Sequence, residues 1–356
     1  MIIKEGNIEI ETNEKVFYNQ EAELTRDISV CVLKVFSKNF KKLNILDAFS
    51  ATGIRGLRYA SEIKNTNVFL NDISKDAVKI IKKNILKNKL KNCKVFCSDA
   101  RKIMLENKFD VIDIDPFGSP VEFLESSAKS INLNGLVAIT ATDTAALNGS
   151  AKLSGVRKYG IISEKTDFYT ELGIRNLITS IILSFSKYEK IFIPIFSLAD
   201  KQYYRVFGKI SYKNSEISEI LKQIKIFYYC KNCGNRSFIN NICDVCGKSF
   251  ISLGPTYLGK ISDKFFSKKI LNELKNKDYK LKEREIKILI NSINEIDIPF
   301  YYDIHKIAKL NKINIHKIEK IIQELKNVGF LASRSVFCST GIKTNAKLNE
   351  LIKIMK

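Results

Sequence analysis

The residues best suited to chemistry are Asp115, Pro116 and Phe117, within the stretch FDVIDIDPFGSP (109–120). Val111, Ile112 and Ile114 read as a buried β-strand, and the trio follows where that strand should end. A carboxylate, a rigid proline and an exposed ring at the rim of a sheet suit methylation of an exocyclic amine on a base. Such an amine is a weak nucleophile, because its lone pair is delocalised into the ring. Asp115 can accept one N–H and take the proton once the methyl group has moved. Pro116 fixes the backbone so that a neighbouring carbonyl can accept the other N–H. Phe117 can stack on a base that has left its own stack. The competing reading is a plain turn, since Asp-Pro and Gly-Ser-Pro are common turn sequences. Asp113 shares a face with Asp115. It reads either as a second acid or, preferably, as a buried carboxylate held by backbone N–H groups.

Three more carboxylates close earlier apolar runs. Asp47 ends LNILDA (43–48) and leads into AFSATGIRG, where Gly53 and Gly56 permit a tight turn and close backbone approach to a ligand. Asp72 ends NVFLND (67–72), where a carboxylate can accept from both ribose hydroxyls of a nucleoside. It could equally cap the helix that follows. Asp99 and Ala100 follow KVFC, and a carboxylate there can accept from an adenine amino group. Taken in order, the three acidic strand ends form one nucleoside pocket and favour S-adenosylmethionine. The loop has no clean G-x-G-x-x-G, which disfavours a dinucleotide.

These ends are positioned by an alternation of short apolar runs with helical segments such as 76–89 and 120–130, the pattern of parallel βαβ units. A long helical pattern (164–187) precedes KIFIPIFSL and YYRVFGKI, which read as a closing antiparallel hairpin. The expected fold class is α/β. A Rossmann-like, S-adenosylmethionine-dependent methyltransferase domain over residues 1–212 is followed by a smaller α+β domain over 213–356.

In the second domain Cys230, Cys233, Cys243 and Cys246 form C-x2-C, nine residues, C-x2-C. Four thiolates suit a closed, structural Zn²⁺ site, with a disulfide pair or an iron centre as the alternatives. Residues 304–330 have helical apolar spacing and resemble a helix-turn-helix running into a strand. His305 and His316 read as surface or packing residues. Asp143 and Thr144 either line the base pocket or cap a helix. Glu171 and Arg175 read as an i,i+4 helix pair.

The chain has 356 residues and a net charge of +21, with the basic excess denser beyond residue 212. That balance favours a polyanionic partner, although lysine enrichment alone can reflect adaptation to heat. No apolar run approaches the ~20 residues that span a bilayer. The charged start, MIIKEGNIEIE, is unlike a signal peptide. A cytoplasmic protein without membrane contact is expected, with a monomer favoured.

The stretches EGNIEI, VFYNQEAELTRDISV, DAFSATGIRGLRYA, NDIS, DIDPFGSP, ATDTAALNG and RKYG, with the cysteine cluster, span nearly the whole chain. Together they resemble the tRNA guanine-26 N2-dimethyltransferases. The resemblance implies tRNA as partner and one or two methyl transfers to N2 of a guanine. It implies that Arg26, Arg55, Asp72, Asp99 and Ala100 touch the cofactor, that Asp115 is the catalytic carboxylate and that Phe117 stacks on the base. An arginine such as Arg26 could pair with the cofactor's carboxylate tail, or lie on a helix surface beside Asp27. The chain departs from the family pattern at Gln20, at Thr25 and in LGPTYLGKI, which lacks a Trp. Two rival readings are methylation of another exocyclic amine, such as adenine N6, and a non-catalytic zinc-containing nucleic-acid-binding protein.

Overall fold

The structure is a computed structural model that describes residues 1–200, 202–239 and 242–356. It opens with a hairpin the sequence reading did not anticipate. Strands β1 (Ile2–Glu5) and β2 (Ile8–Glu11) pair antiparallel with Ile3 opposite Ile10. After helix α1 (Glu23–Ser37), strands and helices alternate as expected: β3 (Leu43–Asp47), α2 (Ile54–Glu62), β4 (Thr66–Asp72), α3 (Lys75–Lys87), β5 (Cys93–Cys97), α4 (Ala100–Glu106), β6 (Phe109–Ile114), α5 (Val121–Ser130) and β7 (Ile131–Ala141). Two short helices, α6 (Thr144–Leu147) and α7 (Lys152–Tyr159), lead to α8 (Tyr169–Ser186) and the hairpin of β8 (Ile191–Ala199) and β9 (Tyr204–Ser211). Relative to the sequence reading, α8 starts later and β7 earlier.

The seven-stranded sheet has the order β5-β4-β3-β6-β7-β9-β8, with β9 antiparallel to both neighbours. The chain leaves β3 in one direction for β4 and β5, then returns on its other side as β6. The crevice beyond the carboxyl ends of β3 and β6 is thus the topological switch point, where open α/β sheets bind ligands. Both faces are buried. Leu43, Ile45, Val111, Leu136, Ala138 and Phe207 pack toward α1 and α2. Leu46, Ile112, Ile114, Val137, Ile139 and Val206 pack toward α4, α5 and α8. By the same period of two, Asp113, Thr140 and Arg205 lie on the α1/α2 face.

The chain continues through α9 (Asn214–Leu221) into the sheet β11-β10-β12, built from β10 (Ile224–Tyr229), β11 (Arg236–Ser237) and β12 (Ile251–Tyr257). Helices α10 (Lys264–Lys275) and α11 (Lys282–Asn294) then return to the first unit. Phe266, Ile270, Leu274 and Leu289 join the core beneath α1. Packing therefore crosses residue 212, because α10 is buried against α1 and α11 packs on α10. The LGPTYLGKI stretch also docks inward. Thr256 Oγ1 donates to Asn176 Oδ1 (2.7 Å), and Arg175 Nη1 donates to the Gly259 carbonyl (2.9 Å).

The last module has its own core, which includes Ile304, Ile321, Leu325, Ile342 and Leu351. It comprises β13 (Tyr302–Asp303), α12 (Ile304–Asn311), α13 (Ile318–Asn327), β14 (Ala332–Arg334), β15 (Gly341–Thr344) and α14 (Leu348–Met355). The expected helix-turn-helix is α12 and α13, followed by β14. Glu171 and Arg175 are more than a helix surface pair. Both are buried, and Glu171 Oε1 also accepts from Lys343 Nζ (3.1 Å) and the Phe300 N–H (3.0 Å). They lock α8 to the final module.

Candidate active site

The loop after β3 is shaped by its glycines. Gly53 has φ +83°, and a Cβ on Gly56 would stand 2.9 Å from both Asp47 Oδ2 and Leu70. Helix α2 therefore starts hard against the strand ends. Asp47 Oδ2 accepts the Gly56 N–H (3.0 Å), and Asp72 Oδ2 accepts the Ala51 N–H (2.8 Å). Asp72 does not cap α3, since Ser74 accepts the Ala77 N–H. The loop borders a cavity of about 340 Å³ that is also lined by Asp72, Ile73, Asp115, Pro116, Phe117, Phe17, Tyr18, Thr142 and Tyr203.

Asp115 stands one residue past β6, at the switch point. Its Oδ2 accepts from Arg55 Nη2, and Arg55 Nη1 donates to Ser29 Oγ (3.2 Å). Burial opposes the charge of Arg55, but the Asp115 and Asp113 carboxylates outweigh it and hold the guanidinium ionised. The turn after Phe117 is clamped from β7. Gly118 has φ +84°, its N–H donates to Thr142 Oγ1 (2.6 Å), and its carbonyl accepts the Thr142 N–H (3.0 Å). Phe117 is thereby held 75% exposed, edge-on to Phe17 with ring centroids 4.6 Å apart.

Several residues expected at the cofactor have partners within the chain. Arg26 lines the cavity, but its Nε and Nη2 pair with Glu5 at 2.7 Å each. The hairpin supplies the carboxylate expected from a ligand. Asp47 is buried behind the loop, outside the cavity lining, where it anchors α2. Burial, then the neighbouring Asp113 carboxylate, push its carboxyl up to about 7. Asp99 and Ala100 also lie outside the cavity lining. Asp99 is the N-cap of α4, and Arg101 holds its carboxyl below the usual range.

Asp113 is buried, but side chains rather than backbone N–H groups hold it. Tyr59 Oη donates to Oδ2 (2.6 Å) and Arg205 forms a two-pronged pair. Burial opposes its charge, yet Arg205 and Arg55 keep its carboxyl below the usual range. Asp143 makes no side-chain cap for α6. It accepts from Tyr159 Oη (2.6 Å) and Lys158 Nζ (2.9 Å), while Tyr159 Oη accepts from Ser119 Oγ (3.0 Å). Thr144 is the first residue of α6.

Sequence reasoning gave no role to Phe17, Tyr18, Thr142, Tyr203 or Arg205. VFYNQ was the only visible signal for the first two, and only as part of a resemblance. The other three reach the site through strands far away in sequence.

Donor chemistry tests both implied groups. Thr52 lines the cavity with its Oγ1 buried and without a partner among the described residues, and Asp72 offers a carboxylate beside it. A polar ligand with a ribose-like diol fits these groups. The sulfurs of Cys230, Cys233, Cys243 and Cys246 lie within 4.8 Å of one another. Tetrahedral Zn–S bonds of about 2.3 Å put sulfurs ~3.8 Å apart, so the cluster fits zinc. Gly234 (φ +79°) and Gly247 (φ +70°) turn each knuckle. The Gly234 and Gly247 N–H groups donate to the Cys230 and Cys243 carbonyls at 2.9 and 2.8 Å. His305 and His316 are not part of this cluster.

A family model described as N2,N2-dimethylguanosine tRNA methyltransferase matches residues 1–356. The tRNA (guanine(26)-N(2))-dimethyltransferase of Methanobrevibacter smithii is 37% identical over 98% of this chain and 92% of its own length. The protein of the same name from Saccharolobus solfataricus is 38% identical over 96% of this chain and 90% of its own. The structure of Trm1 from Pyrococcus horikoshii in complex with S-adenosyl-L-methionine superposes with a TM-score of 0.91, at 31% identity and full coverage of both chains. With a full-length family match and relatives above one-third identity at near-complete coverage, this chain belongs to the N2,N2-dimethylguanosine tRNA methyltransferase family.

Proposed function

We propose that this chain transfers one or two methyl groups from S-adenosyl-L-methionine to the exocyclic N2 of guanine 26 in tRNA, giving N2,N2-dimethylguanosine. The observation that carries the reading is the Asp115-Pro116-Phe117 rim at the switch point of a methyltransferase-like sheet. The names of its full-length relatives support the substrate. S-adenosylmethionine, when bound, supplies an electrophilic methyl group. The loop at 50–55 and Asp72 would hold it, with Arg26 and Arg55 near its charged end.

The chain's own work is positioning and proton handling. Phe117 would stack on the flipped guanine, with Phe17 packed edge-on against it to hold the ring in place. Asp115, steered by Arg55, would accept one N2 hydrogen and take that proton as nitrogen gains its substituent. Each transfer releases one proton, so Asp115 must return it to water before a second methyl is added. Alignment supplies much of the rest. Cys230, Cys233, Cys243 and Cys246 would hold a structural Zn²⁺, and the basic second half would hold the RNA by its backbone. Among the described residues no helix is long and apolar enough to cross a membrane. We read the protein as cytoplasmic and monomeric.

The test is transfer from labelled S-adenosylmethionine to unmodified tRNA, followed by nucleoside analysis. The expected products are N2-methyl- and N2,N2-dimethylguanosine, lost when guanine 26 is replaced by adenine. A methylated adenosine in their place would overturn the assignment in favour of adenine N6.

A further inference from the structure

A separate basic cleft, which the chemistry leaves unused, is linked to the Phe117 loop through helix α7. Helix α7 is tied to the Phe117 loop through Tyr159 and Ser119. At its other end Lys152 Nζ pairs with Glu164 Oε2 (2.7 Å), and Lys231 Nζ pairs with the same oxygen (2.5 Å). Lys231 sits inside the first cysteine knuckle, between Cys230 and Cys233. Beside it Lys165 and Lys306 both approach one ring. Each ammonium lies 5.8 Å from the centroid of Tyr169, the first residue of α8.

Lys165, Lys231 and Lys306 line one cleft of about 230 Å³. They come from three parts of the chain: the loop before α8, the cysteine knuckle and helix α12. Lys165 and Lys306 are exposed and form no salt bridge among the described residues. The nearby acids offset only part of this charge, Asp167 acting on Lys306 from within the cleft lining. Glu164 is shared by two lysines, and Asp167 accepts from Tyr229 Oη (3.1 Å). Thr166 Oγ1 is also buried beside the cleft without a partner among the described residues.

Two cations without a salt bridge that share one aromatic ring add to the positive potential of the cleft in the free protein. An anionic, ring-bearing polymer satisfies both: phosphates take the ammoniums, and a base or ribose packs on the ring. We infer that this cleft is a docking subsite for the sugar-phosphate backbone of the RNA substrate, with Lys165 and Lys306 on phosphates and Tyr169 beside both. It would anchor the RNA at the junction of three units while the Phe117 loop holds the target base. This inference rests on the proposed function, since it takes the partner to be tRNA.

The experiment uses the full-length, zinc-loaded protein. Lys165→Ala/Lys306→Ala is compared with Lys79→Ala/Lys82→Ala, exposed lysines of α3 that serve as control. The cleft variant should raise KM for tRNA tenfold or more, with kcat and S-adenosylmethionine affinity within twofold of wild type. Loss of two phosphate contacts should flatten the slope of log(kcat/KM) against log[salt] by about 1.4–1.8. A KM and slope equal to the control's would overturn the proposal. Acetylation footprinting of the wild type gives a readout free of folding effects. Protection of Lys165 and Lys306 by tRNA supports the site, and undiminished labelling rejects it. Failure of the functional reading shows differently, as wild-type protein that leaves guanine 26 unmethylated. Footprinting and direct tRNA binding still judge the cleft in that case.

Discussion

Arg205 and Asp113 meet through two parallel hydrogen bonds, Nη1–Oδ1 at 3.0 Å and Nη2–Oδ2 at 2.7 Å, with neither residue exposed. Arg205 Nη2 also donates to Ser29 Oγ (3.1 Å), which accepts from Arg55 as well. The pair therefore sits beneath Asp115 and fixes the hydroxyl that orients its arginine partner.

Breaking that pair should be severe. Arg205→Met leaves the Asp113 carboxylate buried without its cation, at a cost of about 3–5 kcal/mol. Urea unfolding of the variant measures it. Adding Asp113→Leu should recover part of the loss. A single variant within 1 kcal/mol of wild type, roughly the cost of a typical point mutation, would show that Tyr59 and Arg55 suffice to sustain the carboxylate.

Asp47 and Asp113 should give stability opposite dependences on pH. The Asp47 carboxyl is raised to about 7 from an ordinary 3.8, so the folded state holds its proton more tightly than the unfolded chain. Its contribution is full below the unfolded value and is lost as pH rises toward 7, by about 4 kcal/mol in all. The lowered Asp113 carboxyl stabilises above its unfolded value and loses that effect as pH falls below it. Asn at position 47 can still accept the Gly56 N–H. Asp47→Asn should therefore flatten stability between pH 4 and 7 and leave the acid limb unchanged. Denaturant midpoints across that range decide the matter.

Asp115→Ala should lower single-turnover methyl transfer by roughly 10²–10⁴. Affinity for tRNA should stay within a few-fold, because the variant leaves the basic surfaces intact. Normal turnover would remove Asp115 from the proton step. Phe117→Ala should also suppress transfer, whereas Phe117→Tyr should keep most of it if stacking is the ring's role.

Chelation should release one zinc per chain and melt the knuckles, since the metal supplies folding energy to a stretch with little core of its own. Cys243→Ser should do the same. Metal analysis and calorimetry report this independently of activity. Binding of S-adenosylmethionine should survive and tRNA binding should weaken. A chain that binds no zinc and melts unchanged would contradict the assignment.

Much of this was legible in the sequence because it depends on local spacing. Apolar runs at strand length, glycines before α2 and two C-x2-C pairs each constrain a few adjacent residues. The same locality placed Asp115, Pro116 and Phe117 at the end of a strand, where β6 leaves them. Relations across the chain were not legible. Nothing near Arg26 announces that Glu5, 21 residues away, occupies its fork. Nothing near Asp113 points to Arg205, 92 residues on. The packing of α10 across residue 212 onto α1 was hidden for the same reason, since an apolar stripe does not say which surface buries it.

The sequence by itself determined the alternating fold, the paired-cysteine spacing and the place of Asp115, Pro116 and Phe117 at a strand end. Only the tertiary structure decided which charges are paired. Whether Arg26 and Asp47 face a ligand or the protein depends on buried neighbours brought together by folding. At low dielectric those neighbours govern both where a charged side chain points and whether it stays ionised.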